Sequence, residues 1–258
     1  LHNVLRSSVL KGFFIMNNVP FIQMDKGRTE KKALTATKNK VFKPLKTTFQ
    51  RYADVFNQLG FPVELQNVSV LSKRVLPGKV QEVIRPDNLK WIGIAPFATY
   101  TGKMYPLDLM EKVIISLNNT NKYKIILFGG GDRQKKQAAQ WSDLYKNCIN
   151  TIDTLSFQDQ LSLISNLDLM LSMDRGNGHL AAMFNIPTIT LWGVTHPYAG
   201  FSPFNQASDN SLLSDRNKFP FIPTSIYGNK APRGYENAMS TTLPQTVLSK
   251  ITSLIEIK

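Results

Sequence analysis

Apolar and polar positions alternate regularly along the last two thirds of the chain. Short apolar runs there have the length of buried strands, at residues 91–96, 124–129, 148–152, 167–173 and after Pro187. Segments with helical spacing lie between and after these runs. They cover about 106–117, the residues from the glycine turn at 129–132 to Tyr145, about 156–165, 179–184 and 243–255. The repeated strand-then-helix order predicts an α/β fold with a doubly wound parallel sheet, because parallel strands require crossover connections.

The first third of the chain is less regular. A helix is predicted to end near Asn17 and Asn18, a short strand covers residues 19–24, and a helix over 48–59 is stopped by Gly60. Residues 77–90 contain two prolines and a glycine and are interpreted as a linker between domains.

Positive charge is concentrated in the same third. The net charge of the chain is +13, and residues 1–90 hold 16 Lys and Arg against 6 Asp and Glu. The centre is residues 26–51, where Glu30 is the acid among nine basic side chains, including Lys31, Lys32, Lys38 and Lys40. Such a field would attract nucleic acid, an anionic membrane surface or a phosphorylated substrate. A solvated basic loop is the alternative interpretation.

Cysteine content and hydropathy argue against a disulfide-rich protein, a cysteine-ligated metalloprotein and a helical membrane protein. The single Cys148 excludes a disulfide framework within the chain and a cysteine-based metal cluster. The apolar runs are strand-sized, well below the ~20 residues of a membrane helix, and no signal peptide is visible. We therefore expect a reducing, cytoplasmic setting.

The candidate chemistry lies in the stretch 168–193, which predicts a strand, a polar turn, a helix and a second strand. The turn contains Asp174, Arg175 and Gly176, and His179 follows in the helix. In an open parallel sheet, ligands bind at the carboxyl ends of the strands, and the N–H groups that open a helix favour an anion such as phosphate.

Three further loops are predicted to converge on the same edge. They bring Thr99 and Lys103 from residues 96–106, Asp132 from a glycine turn at 129–132, and Leu155 from residues 153–156. A lysine, glycine turns and a helix N-terminus would together hold a diphosphate. His196 follows the next strand, and facing this cleft or forming a structural turn are equal alternatives for it.

Each feature also has a simpler interpretation. The glycines can form only a tight turn, Lys103 can be solvent-exposed, Asp174 can cap the following helix, and His179 can be structural. The spacing G-x-G-x-x-G and the P-loop G-x-x-x-x-G-K-[ST] are both absent from the sequence, which argues against a dinucleotide fingerprint and an ordinary ATPase.

Three ordered motifs resemble one family. The first motif covers residues 173–201, MDRGNGHLAAMFNIPTITLWGVTHPYAGF. It resembles the D-[ST]-G-x-x-H-[LI]-A-A signature of the heptosyltransferase-like family of bacterial lipopolysaccharide glycosyltransferases. APFATYTGKMYP resembles the family's P-[FG]-A loop with K-x-[YW]-P, and ILFGGGDR its F-G-G-x-[DE] turn. The resemblance implies a glycosyltransferase B fold with two Rossmann-like domains, one for the acceptor and one for a nucleotide-sugar, typically ADP-heptose.

The resemblance also implies roles for residues. It assigns Lys103, Asp174, Gly176 and His179 to the diphosphate and sugar of the donor, and Arg175 is a further donor-site candidate because it lies between them in the sequence. Asp132 is similar to an acid that contacts the ribose, and Leu155 takes the place of an apolar adenine contact. Apart from the resemblance, Thr99 and His196 are candidates for contacts with the sugar or the acceptor.

The chain departs from the family pattern at two places. Arg175 stands where the family usually has Ser or Thr, and would either add a phosphate contact or obstruct the pocket. Family members begin with a strand and a Gly-Asp loop that supplies the catalytic aspartate, which is expected upstream of Leu1. No catalytic base is therefore assigned within the sequence.

These expectations define three parts of the chain. We predict an incomplete N-terminal acceptor-side domain over 1–88, a C-terminal Rossmann-like domain that binds the nucleotide-sugar over 89–240, and a closing helix over 241–258. A Rossmann-like domain takes on the order of 150 residues, which is why the N-terminal one is expected to be incomplete.

The predicted function is an inverting glycosyltransferase that moves a sugar, heptose, from an ADP-sugar to a lipopolysaccharide core or related surface glycan. No Asp-x-Asp pair occurs, so we predict that the reaction is independent of metal. No cofactor is expected apart from the ADP-sugar, which is a substrate. Expected partners are the donor, a phosphorylated glycolipid acceptor and an anionic membrane at the inner face of the inner membrane, but not nucleic acid.

Two alternatives remain. One is a non-catalytic nucleotide-sugar-binding remnant of such an enzyme. The other is a binder of anionic polymers, whose affinity would fall steeply with salt.

Overall fold

A computed structural model describes residues 4–66 and 68–256 of the chain. It divides into two compact units, Leu1–Ser69 with Pro197–Phe201, and Val70–His196 with Ser202–Lys258. The predicted boundary was between residues 88 and 89. The difference arises because α4 (Gly78–Ile84) buries Val80 and Ile84 completely in the core of the second unit, in a segment interpreted as a linker.

A six-stranded parallel sheet forms the second unit. Its strands are β1 (Lys90–Ala95), β2 (Tyr123–Leu127), β3 (Cys148–Asn150), β4 (Leu169–Met173), β5 (Thr188–Trp192) and β6 (Ser211–Leu213). The spatial order is β3-β2-β1-β4-β5-β6, and every neighbouring pair is parallel. The order reverses between β1 and β4, which is where open α/β sheets leave a crevice at the carboxyl edge.

Helices cover both faces of this sheet. They are α5 (Leu107–Asn119), α6 (Asp132–Leu144), α7 (Phe157–Ile164), α8 (Gly176–Met183) and α9 (Pro244–Glu256). One core contains Ile92, Ile125 and Leu171 with α5 and α9, and the other contains Ile126, Met170 and Leu163. Side chains from alternate positions of the same strands therefore fill two layers, as expected for a parallel sheet buried on both faces. The predicted α/β fold is confirmed.

A capping box at its N-terminus determines where α7 begins. The Ser156 hydroxyl accepts a hydrogen bond from the Asp159 N–H, and the Asp159 carboxylate accepts one from the Ser156 N–H. This reciprocal pair satisfies two N–H groups that a helix start leaves without partners. It fixes where the chain turns from the loop after β3 into the helix.

A buried lysine connects α4 to the sheet. Lys124 lies in β2, and its Nζ donates to the carbonyls of Ile84, at 2.9 Å, and Arg85, at the end of α4. It also lies 2.9 Å from a carboxylate oxygen of Asp87. Lost hydration acts to raise the pKa of Asp87, but the hydrogen bonds from Lys124 and the Leu89 N–H, together with the Lys124 charge, leave it lowered.

The described residues of the first unit form three helices, α1 (Leu5–Met16), α2 (Arg28–Leu34) and α3 (Thr48–Gln58). The predicted end of α1 and the predicted helix at 48–59 agree with the structure. The strand expected over 19–24 is wrong, because this extended segment pairs with no strand among the described residues. Within residues 4–66 and 68–256, no helix is long and apolar enough to cross a membrane.

Arg51 organises this unit. Its side chain is 4% exposed, and its guanidinium contacts the carboxylates of Asp25, at 3.0 Å, and Glu30, at 2.7 Å. Its Nε donates to the Lys46 carbonyl at 3.1 Å. A side chain at Gly27, where φ is +58°, would collide with the guanidinium. Part of the basic stretch is therefore internal structure and not free surface charge.

We expect Lys124→Met to destabilise the protein by about 1–3 kcal/mol, because it leaves two carbonyls at the end of α4 without their donor. Chemical denaturation at neutral pH would measure this loss. A carboxylate with a lowered pKa in the folded state stabilises above its unfolded pKa, and this contribution is lost as the pH falls through the folded value. The variant should therefore lose less stability than the wild type on acidification below about pH 4.

Lys122→Met is the matched control, because Lys122 is exposed and lies two residues earlier. It removes the same charge and should leave the unfolding free energy within about 0.5 kcal/mol of the wild type. Equal losses in the two variants would contradict a structural role for Lys124.

Candidate active site

An ion pair lies at the crevice between β1 and β4. Asp174 directly follows β4, and Lys103 ends a short 3₁₀ helix, Thr101–Lys103, in the loop after β1. The Lys103 Nζ is 2.7 Å from the Asp174 Oδ2, and the two side chains are 15% and 7% exposed. The sequence left open that Asp174 caps α8, but the N-cap is Arg175 and no side chain caps this helix. Asp174 instead holds Lys103.

Three glycines allow the loops around Lys103 to pack closely. A side chain at Gly228, where φ is +80°, would overlap the Cγ and Cδ atoms of Lys103. One at Gly193 would overlap the Gly102 carbonyl oxygen, and one at Gly102 would lie 2.6 Å from a methyl group of Val194. The Lys103 stem therefore runs along backbone that no larger residue could replace without movement.

Hydrogen bonds connect these glycines into one structure. The Val194 N–H donates to the Gly102 carbonyl at 2.8 Å, and the Val194 carbonyl accepts from the Thr224 N–H at 2.9 Å. The Ser225 hydroxyl accepts from the Gly228 N–H at 2.9 Å. We call residues 102, 193, 194 and 224–228 the lysine clamp. Its second half was missed in the sequence, because residues after Trp192 carry little periodic signal.

His179 lies one turn into α8. Its side chain reaches the surface but has many protein atoms around it, and the lost hydration lowers the pKa of its imidazole. The Asp174 carboxylate acts in the opposite direction, and the Lys103 ammonium lowers the pKa further. The three groups predicted to share the donor site, Lys103, Asp174 and His179, therefore interact electrostatically, and His179 favours its neutral form at neutral pH.

Two adjoining pockets open beside this cluster. The first, here called the arginine pocket, has a volume of ≈ 300 Å³ and is lined by Ala95, Phe97, Phe128, Gly129, Gly130, Gln134, Arg175, Gly176 and Asn177. The second, the aspartate pocket, has a volume of ≈ 410 Å³ and includes Thr99, Asp132 and Met104 in its lining. Phe97, Gly130 and Gln134 line both, so the two form adjoining parts of one groove.

The sequence missed the two groups that shape this groove. The Phe97 carbonyl accepts a hydrogen bond from the Arg175 Nη1 at 3.2 Å, and the Gln134 Oε1 accepts one from the Gly130 N–H at 3.1 Å. The role of the Phe97 carbonyl could not be predicted from the sequence, because every residue has a backbone carbonyl. Gln134 follows the glycine turn by a few residues, which is the signal that could have indicated it.

Two predicted site residues lie in the interior instead. Leu155 is 6% exposed and belongs to the core cluster that contains Phe128 and Leu163, and it lines neither pocket. His196 is 3% exposed. The polar side chains that line the groove are Thr99, Thr101, Asp132, Arg133, Gln134, Gln137, Arg175 and Asn177.

The basic residues predicted to face the acceptor are in different environments. Lys31 lies 4.5 Å from the ring centre of Phe201, and burial, followed by the charge of Arg51, lowers the pKa of its ammonium. Lys40 donates to the Leu34 carbonyl at 2.6 Å. Lys32 and Lys38 are exposed.

The fold is similar to that of known glycosyltransferases. Escherichia coli heptosyltransferase WaaC with ADP is 17% identical, with a TM-score of 0.56 and coverage of 80% of this chain and 56% of that chain. Escherichia coli ADP-heptose lipopolysaccharide heptosyltransferase II is 16% identical, with a TM-score of 0.59 and coverage of 82% and 62%. A family 9 glycosyl transferase from Veillonella parvula is 15% identical, with a TM-score of 0.66 and coverage of 95% and 66%.

These likenesses show a mixed α/β fold of the glycosyltransferase B type. The matched region is 56% of the length of WaaC and 62% of that of heptosyltransferase II. No significant match was found among curated protein sequences. The model of glycosyltransferase family 9 (heptosyltransferase) matches residues 1–224, and the chain belongs to this family.

Proposed function

We propose that the chain serves a glycosyltransferase reaction in which a sugar, heptose, leaves an ADP-sugar donor. The observation that carries the proposal is the groove of two adjoining pockets at the carboxyl edge of the sheet, beside the Lys103–Asp174 pair. Family membership supports it, as does the fold shared with a heptosyltransferase whose structure contains ADP. The volumes, ≈ 410 and ≈ 300 Å³, are in the range of ligand pockets.

The groove suits the two ends of a nucleoside diphosphate. Asp132 and Thr99 line the aspartate pocket, where a carboxylate and a hydroxyl can bond the ribose. Gly176 and Asn177 open α8 and line the arginine pocket, where backbone N–H groups can bond the diphosphate. The donor would then span both pockets past Phe97 and Gly130.

The chemistry that follows is a direct displacement at the anomeric carbon. An acceptor hydroxyl attacks as the bond to the diphosphate breaks, a carboxylate takes the hydroxyl proton, and the configuration inverts. Negative charge grows on the departing ADP, and the cations and N–H groups fixed at the crevice stabilise it. The proposed acceptor is a phosphorylated lipopolysaccharide core at an anionic membrane, met by exposed Lys32 and Lys38.

Calorimetry with ADP and a transfer assay with ADP-heptose and a heptose-deficient lipopolysaccharide test the proposal. We expect binding of ADP, and transfer that EDTA leaves unchanged. Binding without transfer would favour a nucleotide-sugar-binding protein without catalysis. Absence of ADP binding would contradict both. Loss of transfer in EDTA would contradict metal independence.

A second prediction concerns the lysine clamp. We expect Gly228→Ala to displace Lys103 and leave the buried Asp174 carboxylate poorly paired, so the unfolding free energy should fall by about 1–3 kcal/mol beyond the cost of backbone strain. Denaturant unfolding would measure this loss.

Gly234→Ala provides the matched control. Gly234 also has a left-handed φ, +87°, but a side chain there would meet nothing within 4 Å. Both variants carry the same strain, so their difference isolates the displacement of Lys103. If the two variants are equally stable, the clamp does not hold the lysine.

A further inference from the structure

The arginine pocket contains one charged side chain, and it is a cation. Among the nine described residues that line the pocket, Arg175 is charged and the rest are apolar, glycine or amide residues. The neighbouring aspartate pocket, in contrast, is lined by two oppositely charged side chains, Asp132 and Arg133. The net charge of the lining side chains is therefore positive at the arginine pocket and close to zero at the aspartate pocket, so an anion is attracted more strongly to the arginine pocket.

The guanidinium of Arg175 is held in place but not neutralised. Its Nη1 donates to the carbonyl of Phe97 at 3.2 Å, so the side chain links the loops after β1 and β4. A guanidinium has five N–H donors, and this bond uses one of them. Within residues 4–66 and 68–256, no carboxylate lies at ion-pair distance from it. The remaining donors are available to a ligand.

Lys103 is in the opposite situation. Its ammonium lies 2.7 Å from the Asp174 carboxylate, and both side chains are largely buried. The two charges cancel, and moving Lys103 toward a phosphate would leave Asp174 unpaired in a buried position. The net positive charge of these three neighbouring residues is therefore that of Arg175.

We propose that Arg175, and not Lys103, supplies the net positive charge that binds the diphosphate of the donor. This inference rests on the proposed function. The planar fork of the guanidinium can bond two phosphate oxygens at once, whereas the Ser or Thr usual at this position of the family offers one neutral donor. The bond to Phe97 places the fork at the crevice before the ligand arrives. Arg175 thus provides positive charge where a diphosphate leaving group would bind.

Calorimetry of ADP and of inorganic pyrophosphate with Arg175→Gln tests the proposal. We expect both ligands to bind about 10- to 100-fold more weakly, because charge-assisted hydrogen bonds are lost. Arg175→Lys keeps the charge without the fork and should recover part of the loss. Lys103→Met should weaken ADP less than Arg175→Gln does. Arg175 is exposed, so the melting temperature of its variants should stay near that of the wild type.

Lys146→Gln is the control for the loss of one positive charge, because Lys146 is exposed and precedes β3 at the opposite edge of the sheet. Its affinity for both ligands should stay within about 2-fold of the wild type. Unchanged or tighter ADP binding by Arg175→Gln would mean that the arginine obstructs the pocket, and would overturn the proposal. A larger loss in Lys103→Met would overturn it as well.

The two ligands separate this inference from the proposed function. Wild-type protein that binds pyrophosphate through Arg175 but not ADP contradicts the proposed function and leaves the anion site supported. Wild-type protein that binds ADP with no contribution from Arg175 contradicts the inference alone. If the wild type binds neither ligand, both are wrong. If Lys103→Met does not fold, the comparison of Gln and Lys at position 175 decides.

Discussion

The reversal of strand order between β1 and β4 determines where chemistry can occur in this chain. The crossovers after these two strands lead to opposite sides, because β2 lies beyond β1 and β5 lies beyond β4, and such a reversal leaves a crevice between the carboxyl ends of β1 and β4. Lys103 and Phe97 come from one side of this crevice, and Asp174 and Arg175 from the other. The ion pair, the hydrogen bond and the two pockets are all consequences of the same topological feature.

Much of the second unit could be predicted from the sequence. Apolar runs identified β1, β2, β4 and β5 to within two residues, because strands buried on both faces are continuously apolar. β6 could not be found, since it is three residues long and only partly buried. Pro77 and Pro86 suggested a linker, but they bound the short helix α4, with Pro77 at its N-cap position. Proline marks the ends of a helix as well as the absence of one.

The candidate site was predictable where charge or glycine marks it. Lys103 and Asp174 were expected at one sheet edge and lie in contact there. Leu155 follows its strand at the expected place, yet its side chain is buried in the core. An apolar side chain is equally compatible with a core position and with contact to an adenine base, so the residue type could not decide between them. Gly228 had no signal in the sequence. Its role is to leave space for the Lys103 side chain, because it has no side chain of its own, and Lys103 is more than a hundred residues earlier in the sequence.

The lysine clamp also bears on how this family can vary. Gly102, Gly193 and Gly228 each lie against the backbone or side chain of another loop, and none can gain a Cβ without displacing it. Substitutions at these positions are therefore epistatic, since a change at one alters the space available to the others. The segment 224–228 contains no strand or helix. It is nevertheless held by close packing at Gly228 and by hydrogen bonds from Thr224 and to Ser225, as a core strand is held by its neighbours.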